Sequence, residues 1–475
     1  MITNLKHKWE CIPDVTKASV VFMIVNFMTE GIRFLITPIY TRLLSPEEYG
    51  ITAVFYSWES VLGVFAMLSL QYGIFNNGMF EFRNDRSRFI SSLLLLSNLA
   101  TTILLFMWII LKKHVVTIIG LSSNLMLLMA FTFYIKPAYS FWVSRQRYEY
   151  KYKGPAFITL FLGFFAPIAG ILGVLYLPGN KAEIKLWMSQ FPFLIVWGLF
   201  YIKTYLDTHF NIKKEYILFA FKLSIPLIPH YASQYILSAS DKIMISLLVD
   251  DASAGIYGLS SIAGSVVSII WNSINAVLAP WTYEKMGNKD YNSIYKVTGQ
   301  LCILYGGACA SIMLVAPEIM KVVAPSSYMD GVYLIPLIIA ATYLSGVFSL
   351  FGNIELFYKK VNLVMFASSS AAVLNIFLNF LFINQFGYFA AAYTTVFCYI
   401  AYTFFHYYNM KSIEKNNVYN IKQIFLCSIC VVLLSFICRF LYSHIILRYF
   451  LVLVFIGMVL LYHNYIVNLL KRIKR

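Results

Sequence analysis

Long apolar runs are the feature that most restricts how this chain can fold. Stretches such as ITAVFYSWESVLGVFAMLSL (51–70) and LVLVFIGMVLLYHNYIV (451–467) are about as long as an α-helix must be to cross the hydrocarbon core of a bilayer. Of the 475 residues, 60% are hydrophobic and only 12% are charged, and such a small charged fraction could not cover the surface of a soluble protein. The sequence therefore predicts an all-α, polytopic membrane protein.

We predict fourteen membrane-spanning helices joined by short connections, with no inserted soluble domain. The first apolar run has no small-residue cleavage pattern after it, so we expect it to be retained as a span rather than removed as a signal peptide. The predicted spans are 18–41, 51–75, 89–111, 122–144, 154–177, 185–206, 217–240, 252–279, 297–317, 331–351, 362–383, 386–408, 421–440 and 445–468.

The distribution of Lys and Arg predicts the orientation. If the N-terminus is cytoplasmic, most of the 37 Lys and Arg residues fall in cytoplasmic segments; Lys181 and Lys185 are among the few assigned to the other side, and the pair Lys112 and Lys113 fits least well. This bias predicts cytoplasmic N- and C-termini and an even number of spans. The net charge of +16 lies at helix ends rather than on a basic aromatic surface, so nucleic acid is not an expected partner.

Two connections between predicted helices resemble each other. YTRLLSPEEYGITAV (40–54) and MISLLVDDASAGIYGLSS (244–261) both run through Leu-Leu, two acidic residues and Tyr-Gly into the next apolar run, and the second has four more residues between Leu-Leu and Tyr-Gly. Chance similarity is the alternative to a true repeat. A repeat of six spans would give two lobes with the same orientation, related by an axis along the membrane normal, with the substrate between them. We predict an N-terminal lobe at 1–210, a C-terminal lobe at 211–408, and two additional helices with a basic tail at 409–475.

The first predicted span carries charged residues near the middle of the bilayer. Glu30 and Arg33 lie about 18 and 22 Å along a helix that begins near residue 18. A charge facing lipid at that depth costs roughly 2.5–3.5 kcal/mol, so these side chains should face protein or water. Residues with 4-3-4-3 spacing share this face of the helix: Asn26, Glu30, Arg33, Thr37 and Tyr40.

Other spans carry comparable polar groups. The basic residues inside predicted spans are Arg33, Lys136 and Lys222, and they outnumber the acidic residues Glu30 and Glu59. We expect the three basic residues to bind substrate in a cationic cavity. Polar and coupling positions of the same cavity are predicted at Glu30, Glu59, His230, Asn26, Gln234, Asn272 and Asn275.

Structural roles are the alternative for each of these residues. Glu30 and Arg33 could pair within one helix, and Arg33 could instead bridge to Glu59 on the next. Lys222 could extend to the membrane surface, and His230 could be an ordinary core histidine. Ser and Asn stripes, such as the one containing Ser368, Asn375 and Asn379, could be hydrogen bonds between helices. We interpret the pair Asp241 and Lys242 as a solvated rim near the external surface.

Charge and cysteine content favour an anionic, polar cargo and no cofactor. Arg binds phosphate bidentately and Lys binds it as a point charge, while Tyr, Asn and Ser suit sugar hydroxyls. The closest cysteine pair, Cys427 and Cys430, lies inside a predicted span with no further ligands nearby, so we interpret it as small core hydrophobes rather than a metal or redox site.

The first span and the motif TRLLSPEEYG that follows it resemble Wzx-type polysaccharide flippases of the multidrug/oligosaccharidyl-lipid/polysaccharide exporter superfamily. The resemblance extends to chain length and span number. It implies two six-helix lobes around a cationic cavity, sometimes with two further helices, in the bacterial inner membrane. The implied cargo is an undecaprenyl-diphosphate-linked oligosaccharide, such as an O-antigen repeat unit, flipped by alternating access coupled to protons or the membrane potential. Membrane lipids and other polysaccharide assembly proteins are the implied partners.

Two other functions remain open from the sequence. A drug or cation exporter of the same superfamily would favour an acidic cavity, whereas the charges inside these spans are mostly basic. A membrane polysaccharide polymerase or ligase would need a larger external loop with catalytic groups. The chain contains no Gly-rich phosphate loop, metal-ligand spacing or nucleophile arrangement, so we do not expect an enzyme.

Overall fold

Every regular element in the described part of the chain is helical. The computed structural model describes residues 13–71, 73–208 and 211–461, so the basic residues at both termini that contributed to the orientation lie outside it. The N-terminal helices are α1 (Asp14–Leu43), α2 (Pro46–Met67), α3 (Gly73–Glu81), α4 (Arg86–Ile110), α5 (Lys112–Ile119), α6 (Ser123–Tyr148), α7 (Lys153–Tyr176), α8 (Lys181–Thr208) and α9 (Lys214–Ser224). The later helices are α10 (Ile228–Leu248), α11 (Asp251–Gly287), α12 (Tyr291–Leu314), α13 (Ala316–Val323), α14 (Ile335–Phe357), α15 (Val361–Phe386), α16 (Phe389–Ile413), α17 (Ile421–Leu441) and α18 (Ile445–Leu461).

The predicted all-α, polytopic fold class is confirmed. Eleven of the described helices are long and apolar enough to cross a membrane. The other predicted spans correspond to the broken segment α9–α10, to α16, whose Tyr, Thr and His residues lower its hydropathy, and to the shorter α18. The count of fourteen spans therefore stays a prediction.

The two similar connections are both tight turns that start a capped helix. Ser45 accepts a hydrogen bond from the Glu48 backbone, while the Glu48 carboxylate accepts one from the Ser45 backbone, so α2 begins with a capping box. Asp250 caps α11 by accepting a bond from the Ser253 backbone at 2.6 Å. The paired acidic residues thus start the helices, and their charge suits the positive N-terminal end of each helix dipole.

The described helices form two compact units, Met1–Ala239 and Ser240–Arg475. In the first unit, α1 packs on α7, α7 packs on α8, and α8 also contacts α6, α2 and α4. Gly170 on α7 permits this close packing, because a Cβ there would overlap the Tyr40 hydroxyl and lie 3.2 Å from the Ser189 Cβ. The lobe boundary at residue 210 stays a prediction.

A second core closes the other end of the first unit. Phe75 of α3 stacks on Phe141 of α6 at a centroid distance of 5.9 Å, and Phe82 lies 4.4 Å from the ring of Tyr216 on α9. Tyr216 also donates a hydrogen bond to Asp85 at 2.8 Å, which fixes α9 against the start of α4.

In the second unit, α14 is the central helix and packs against α11, α16 and α17. Trp271 of α11 donates its indole N–H to Ser349 at 2.8 Å, and Tyr305 of α12 stacks on Tyr343 at 5.3 Å. Large apolar side chains such as Phe377 and Leu433 are instead exposed on the outside, as expected of helices that face lipid.

Candidate functional site

Glu59 and Lys136 form an ion pair inside the first unit. Glu59 on α2 is only 8% exposed, and its Oε1 accepts a hydrogen bond from the Lys136 ammonium at 2.7 Å. The same ammonium lies 5.7 Å from the ring centroid of Trp197 on α8. Lys136 lies on α6, immediately before Pro137. The ion pair joins α6 to α2, and the ring contact joins α6 to α8. The alternative of a bridge between Arg33 and Glu59 does not hold, because Glu59 pairs with Lys136 instead.

Arg33 is more open than a structural arginine would be. Its side chain is 63% exposed, and its nearest carboxylate contact is a loose 3.8 Å approach to Glu30 on the same helix. Asn26, one turn before Glu30, is also exposed, whereas Thr37 and Tyr40 at the other end of the stripe are buried. The polar face of α1 is therefore packed at one end and open around Arg33.

A third cation, Lys185, was missed by the sequence analysis, which placed it in an external loop. It lies in the first turns of α8 and is 8% exposed. Its ammonium lies 5.2 Å from the ring centroid of Tyr40 and 4.9 Å from that of Tyr56. The loop assignment failed because α8 begins at Lys181, four residues before the predicted span.

The predicted positions near Pro226 and Pro229 occupy a broken helix. The segment 225–227 is a 3₁₀ turn between α9 and α10, as the two prolines favour. Lys222 is exposed in the last turn of α9 and makes no ion pair within the described residues. His230 is half-buried with its ring 5.3 Å from that of Tyr231, and Gln234 is also half-buried.

Asp241 is a buried carboxylate, not the solvated rim that we predicted. It is 5% exposed and accepts hydrogen bonds from Tyr257 at 2.5 Å, Asn379 at 2.7 Å and Thr395 at 2.8 Å. The reason is that α10 continues to Leu248, which carries Asp241 away from the helix end. Oxygen and amide groups around one carboxylate can stabilise a charge or take up a proton or small cation.

In the Ser/Asn stripes, asparagines such as Asn375 bond to other helices, whereas serines such as Ser261 and Ser368 bond to carbonyls of their own helices. Asn375 accepts a hydrogen bond from Ser240 at 2.7 Å and donates one to Thr395 at 3.1 Å. Asn275 accepts one from Asn353 at 2.9 Å, while Asn272 is exposed. Of the predicted polar positions in the second unit, only Asn272 thus faces outward.

A second buried titratable pair lies in the same unit and had no signal in the sequence. His406 of α16 is 1% exposed, and its Nδ1 lies 2.9 Å from both carboxylate oxygens of Glu355, whose side chain is fully buried on α14. The two residues are 51 positions apart, so no spacing rule could have paired them.

The cysteines and acidic residues do not form a metal centre in the described part of the chain, where no group of three or more His, Cys, Asp or Glu residues converges. Cys427 is half-buried and Cys430 is exposed, so the latter is not the core residue that we expected. The described part of the first unit therefore contains three cations in different surroundings. Arg33 is exposed, Lys136 is paired with Glu59, and Lys185 is buried against two tyrosine rings.

Comparisons with known proteins identify the family of the chain. Residues 15–286 match the family of polysaccharide biosynthesis proteins. The Lsg locus putative protein 1 of Haemophilus influenzae is 22% identical over 361 residues, which cover 74% of this chain and 86% of that protein. These matches confirm the resemblance to polysaccharide flippases that the first span and its connection suggested.

Solved structures share the fold. The lipid II flippase MurJ, in an inward closed conformation, superposes with a TM-score of 0.68 at 15% identity, covering 94% of this chain and 100% of that one. An inward-facing multidrug resistance MATE family transporter of the MOP superfamily superposes with a TM-score of 0.61 at 11% identity, covering 83% of this chain and 99% of that one. The protein has the fold of these transporters and, since the family match extends over more than half of its length, it belongs to the family of polysaccharide biosynthesis proteins.

Proposed function

We propose that the protein is a flippase that moves an undecaprenyl-diphosphate-linked oligosaccharide from the cytoplasmic to the external leaflet of the bacterial inner membrane by alternating access. Family membership supports a cargo that belongs to polysaccharide synthesis, and the fold supports a transporter rather than an enzyme. The chemistry of the cargo matches the cations of the first unit, because a diphosphate cannot cross hydrocarbon without partners for its charge.

Arg33 is the observation that carries this proposal. It lies about 15 Å from the external end of α1 by helix rise, yet its side chain is 63% exposed and holds Glu30 only loosely. Exposure to lipid at that depth would be costly, so the guanidinium faces a wet path. A planar guanidinium can bind a phosphate with two parallel hydrogen bonds, which makes Arg33 the first residue expected to contact the diphosphate.

Lys136 and Lys222 complete the proposed cationic path in different ways. Lys136 is held by Glu59 but remains 35% exposed, so it can contribute charge without leaving its partner. Lys222 is exposed in the last turn of α9, about 12 Å by helix rise from the end of that helix predicted to be cytoplasmic, where it can attract the diphosphate as the cargo enters. The lipid tail remains in the bilayer throughout.

Transport by this route also needs a coupling group. Glu30 and His230 are the titratable residues proposed to exchange a proton with solution during the cycle. Glu30 is 40% exposed beside Arg33, so an arriving phosphate competes with it for the guanidinium. Undiminished transport with unchanged pH dependence in the Glu30→Gln, His230→Gln double variant would discard this coupling.

Reconstitution tests the proposed activity directly. Purified protein in liposomes is given a fluorescent oligosaccharide on a short polyprenyl diphosphate, and flipping is measured as the fraction exposed to an impermeant quencher. We expect the wild type to flip the cargo and Arg33→Gln to slow flipping at least about tenfold, the loss of one charge-assisted contact. Arg42→Gln, at the external end of the same helix, is the matched control. Export of an organic cation without flipping of the sugar lipid would instead support a multidrug exporter.

A further inference from the structure

Lys185 is a buried cation for which the described residues supply no acidic partner. It is 8% exposed, and none of the described carboxylates lies within ion-pair distance. Glu59, the buried carboxylate of α2, is already bound to Lys136, and Glu183 of α8 instead accepts hydrogen bonds from Ser122 and Asn124. A buried ammonium without an anion is unfavourable, because burial removes its hydration and nothing of opposite charge replaces it.

The surroundings of Lys185 reduce this cost but do not remove it. The faces of Tyr40 and Tyr56 lie 5.2 and 4.9 Å from the ammonium, and cation–π attraction to two rings stabilises the charge. Arg33 lies seven residues, about 10 Å by helix rise, before Tyr40 on the same face of α1, so a second cation lies near the one that Tyr40 contacts. Two cations held near each other without an acid between them favour the binding of an anion.

The protein also holds this arrangement in place. Tyr40 donates a hydrogen bond to the Pro167 carbonyl on α7 at 2.7 Å, so its ring cannot turn away from Lys185. Gly170 lies three residues after Pro167 on α7. Because it has no Cβ, it leaves the space that the Tyr40 hydroxyl occupies. The second ring, that of Tyr56, belongs to α2, so the ammonium contacts aromatic rings from two different helices. The two rings restrict the lysine side chain, so its ammonium is preorganised rather than flexible.

The cations of the first unit differ in depth. With the predicted spans alternating in direction, α6 and α8 run opposite to α1, so the C-terminal end of α1 and the N-terminal ends of α6 and α8 lie on the same side. From those ends, Lys185 lies about 6 Å deep, Arg33 about 15 Å and Lys136 about 20 Å. With the N-terminus in the cytoplasm, Lys185 is therefore the outermost cation of the three.

We propose that Lys185, between Tyr40 and Tyr56, is a second phosphate-binding station that receives the diphosphate after Arg33 and holds it on the external side before release. This inference rests on the proposed function and assigns it a direction. While the phosphate is bound, the repulsion between Arg33 and Lys185 is neutralised.

Binding measurements with a defined probe test the station without relying on transport. Farnesyl diphosphate is titrated against the full-length protein in nanodiscs of zwitterionic lipid, for wild type and for Lys185→Met, Lys185→Arg and Lys181→Met. We expect Lys185→Met to weaken binding about tenfold or more, because it removes one buried charge-assisted contact, and Lys185→Arg to retain most of the affinity. Lys181→Met removes an exposed amine one turn earlier on α8 and should bind like wild type.

Transport then separates this station from the proposed function. In the liposome assay, Lys185→Met should slow appearance of the cargo in the external leaflet while leaving the apparent unfolding temperature near that of wild type. If Lys185→Met fails to fold, Tyr56→Leu, which removes one ring and keeps the lysine, takes its place with the same expected loss. Wild-type affinity and flipping in the folded variant would overturn the station while leaving flipping through Arg33 intact. If even the wild type does not flip, the proposed function fails, and the nanodisc titration alone decides whether Lys185 binds diphosphate.

A phospholipid head group offers similar phosphate chemistry and is distinguished in the same titration. Nanodiscs that contain phosphatidylglycerol should leave the farnesyl diphosphate affinity unchanged if the station serves the cargo. Competition by phosphatidylglycerol that disappears in Lys185→Met would overturn the cargo assignment, because it would show a lipid site.

Discussion

The three cations of the first unit have different surroundings: Lys136 is paired with a carboxylate, Lys185 is buried against aromatic rings, and the Arg33 side chain is mostly exposed. This division matters because an unpartnered buried charge destabilises a protein more than the loss of a whole ion pair. Removing the partner of each residue should therefore change the free energy of unfolding by different amounts.

The ion pair of Glu59 and Lys136 should behave as a unit in a double-mutant cycle. Lys136→Met leaves Glu59, which is 8% exposed, without a cation, so we expect a loss of about 2–4 kcal/mol in the free energy of unfolding. Glu59→Gln leaves a lysine that is 35% exposed and should cost only about 1 kcal/mol. The double variant should be more stable than Lys136→Met alone, as measured by thermal or denaturant unfolding in detergent. Strict additivity of the two single changes would contradict the pairing.

The hydrogen-bonded cage around Asp241 gives a second residue-level prediction. Tyr257→Phe removes one of three donors to a buried carboxylate and should cost about 1–3 kcal/mol of stability. Asp241→Asn should cost more, because its amide N–H groups would face the donors of Tyr257, Asn379 or Thr395. Tyr388→Phe, another tyrosine change in the same unit, serves as a control outside the cage. Equal stability of Asp241→Asn and wild type would show that the cage does not need a carboxylate.

Sequence reasoning identified the kinds of residue at the site better than their surroundings. The 4-3-4-3 spacing correctly indicated one polar face on α1, and the stripe of Asn375 and Asn379 did mark the helix that contacts Asp241. Lys185 and Asp241 were missed because both were judged by distance from an assumed span edge. Helices α8 and α10 extend past those edges, and burial depends on neighbours far away in sequence, such as Tyr40 for Lys185.

At the scale of helices, the broken segment between α9 and α10 is the clearest departure from regular structure. Pro226 lies in the 3₁₀ turn and Pro229 in the first turn of α10, where a missing N–H is tolerated. The sequence predicted one continuous span at 217–240, because the apolar run does not stop at the prolines. The starts of α2 and α11 lie within five residues of the predicted spans, where Ser45 and Asp250 cap them, but α2 ends at Met67, before the predicted residue 75, and α11 continues to Gly287, past the predicted residue 279.

We expect the break to serve movement, which gives a prediction for the element. The double variant Pro226→Ala, Pro229→Ala restores helix donors and should leave the apparent unfolding temperature unchanged or raise it. The same variant should slow flipping in liposomes several-fold if the segment bends during the cycle. Pro192→Ala, within α8, is the matched control for removal of a helix proline. Wild-type flipping by the double variant would show that the break is only structural.

The contact that holds α9 against α4 should make stability depend on pH. Burial alone would raise the pKa of Asp85, but hydrogen bonds from Lys213 and Tyr216 outweigh it and lower the pKa below its usual 3.8. The hydrogen bond to Asp85 in turn raises the pKa of Lys213 above 10.5. The stabilisation from Asp85 is therefore present above pH 3.8 and lost as pH falls below it, while that from Lys213 is present below pH 10.5 and lost as pH rises above it.

Asp85→Asn should reduce the dependence of stability on pH at both the acidic and the alkaline end. We expect its apparent unfolding temperature to be a few degrees lower than that of wild type at pH 7, because the salt bridge and the Tyr216 acceptor are lost. The difference from wild type should shrink as pH falls toward 3. Asp207→Asn, at the end of α8, is the control. A constant difference between Asp85→Asn and wild type from pH 3 to pH 7 would contradict the assignment.

For the whole molecule, the distribution of apolar surface and the positive charge have separate consequences. Apolar side chains such as Phe106, Phe157 and Leu433 are exposed along the helices, which fixes the protein in a bilayer but does not orient it. Orientation depends on Lys and Arg near the helix ends. The proposed direction of transport depends on this orientation, because Lys185 is the outermost cation only if the N-terminus is cytoplasmic.

Labelling of single cysteines from one side of the membrane tests that orientation. In a background without the seven native cysteines, Arg83→Cys and Lys415→Cys occupy connections predicted to be cytoplasmic, whereas Lys181→Cys and Ser443→Cys occupy connections predicted to be external. An impermeant maleimide added to intact spheroplasts should label only the second pair, and all four should react after the membrane is opened. Each pair has one position in either half of the chain, so an odd number of spans between the two members of a pair would be detected as a mixed pattern. The reverse pattern would place Lys185 at the cytoplasmic face, where it would capture the diphosphate instead of releasing it.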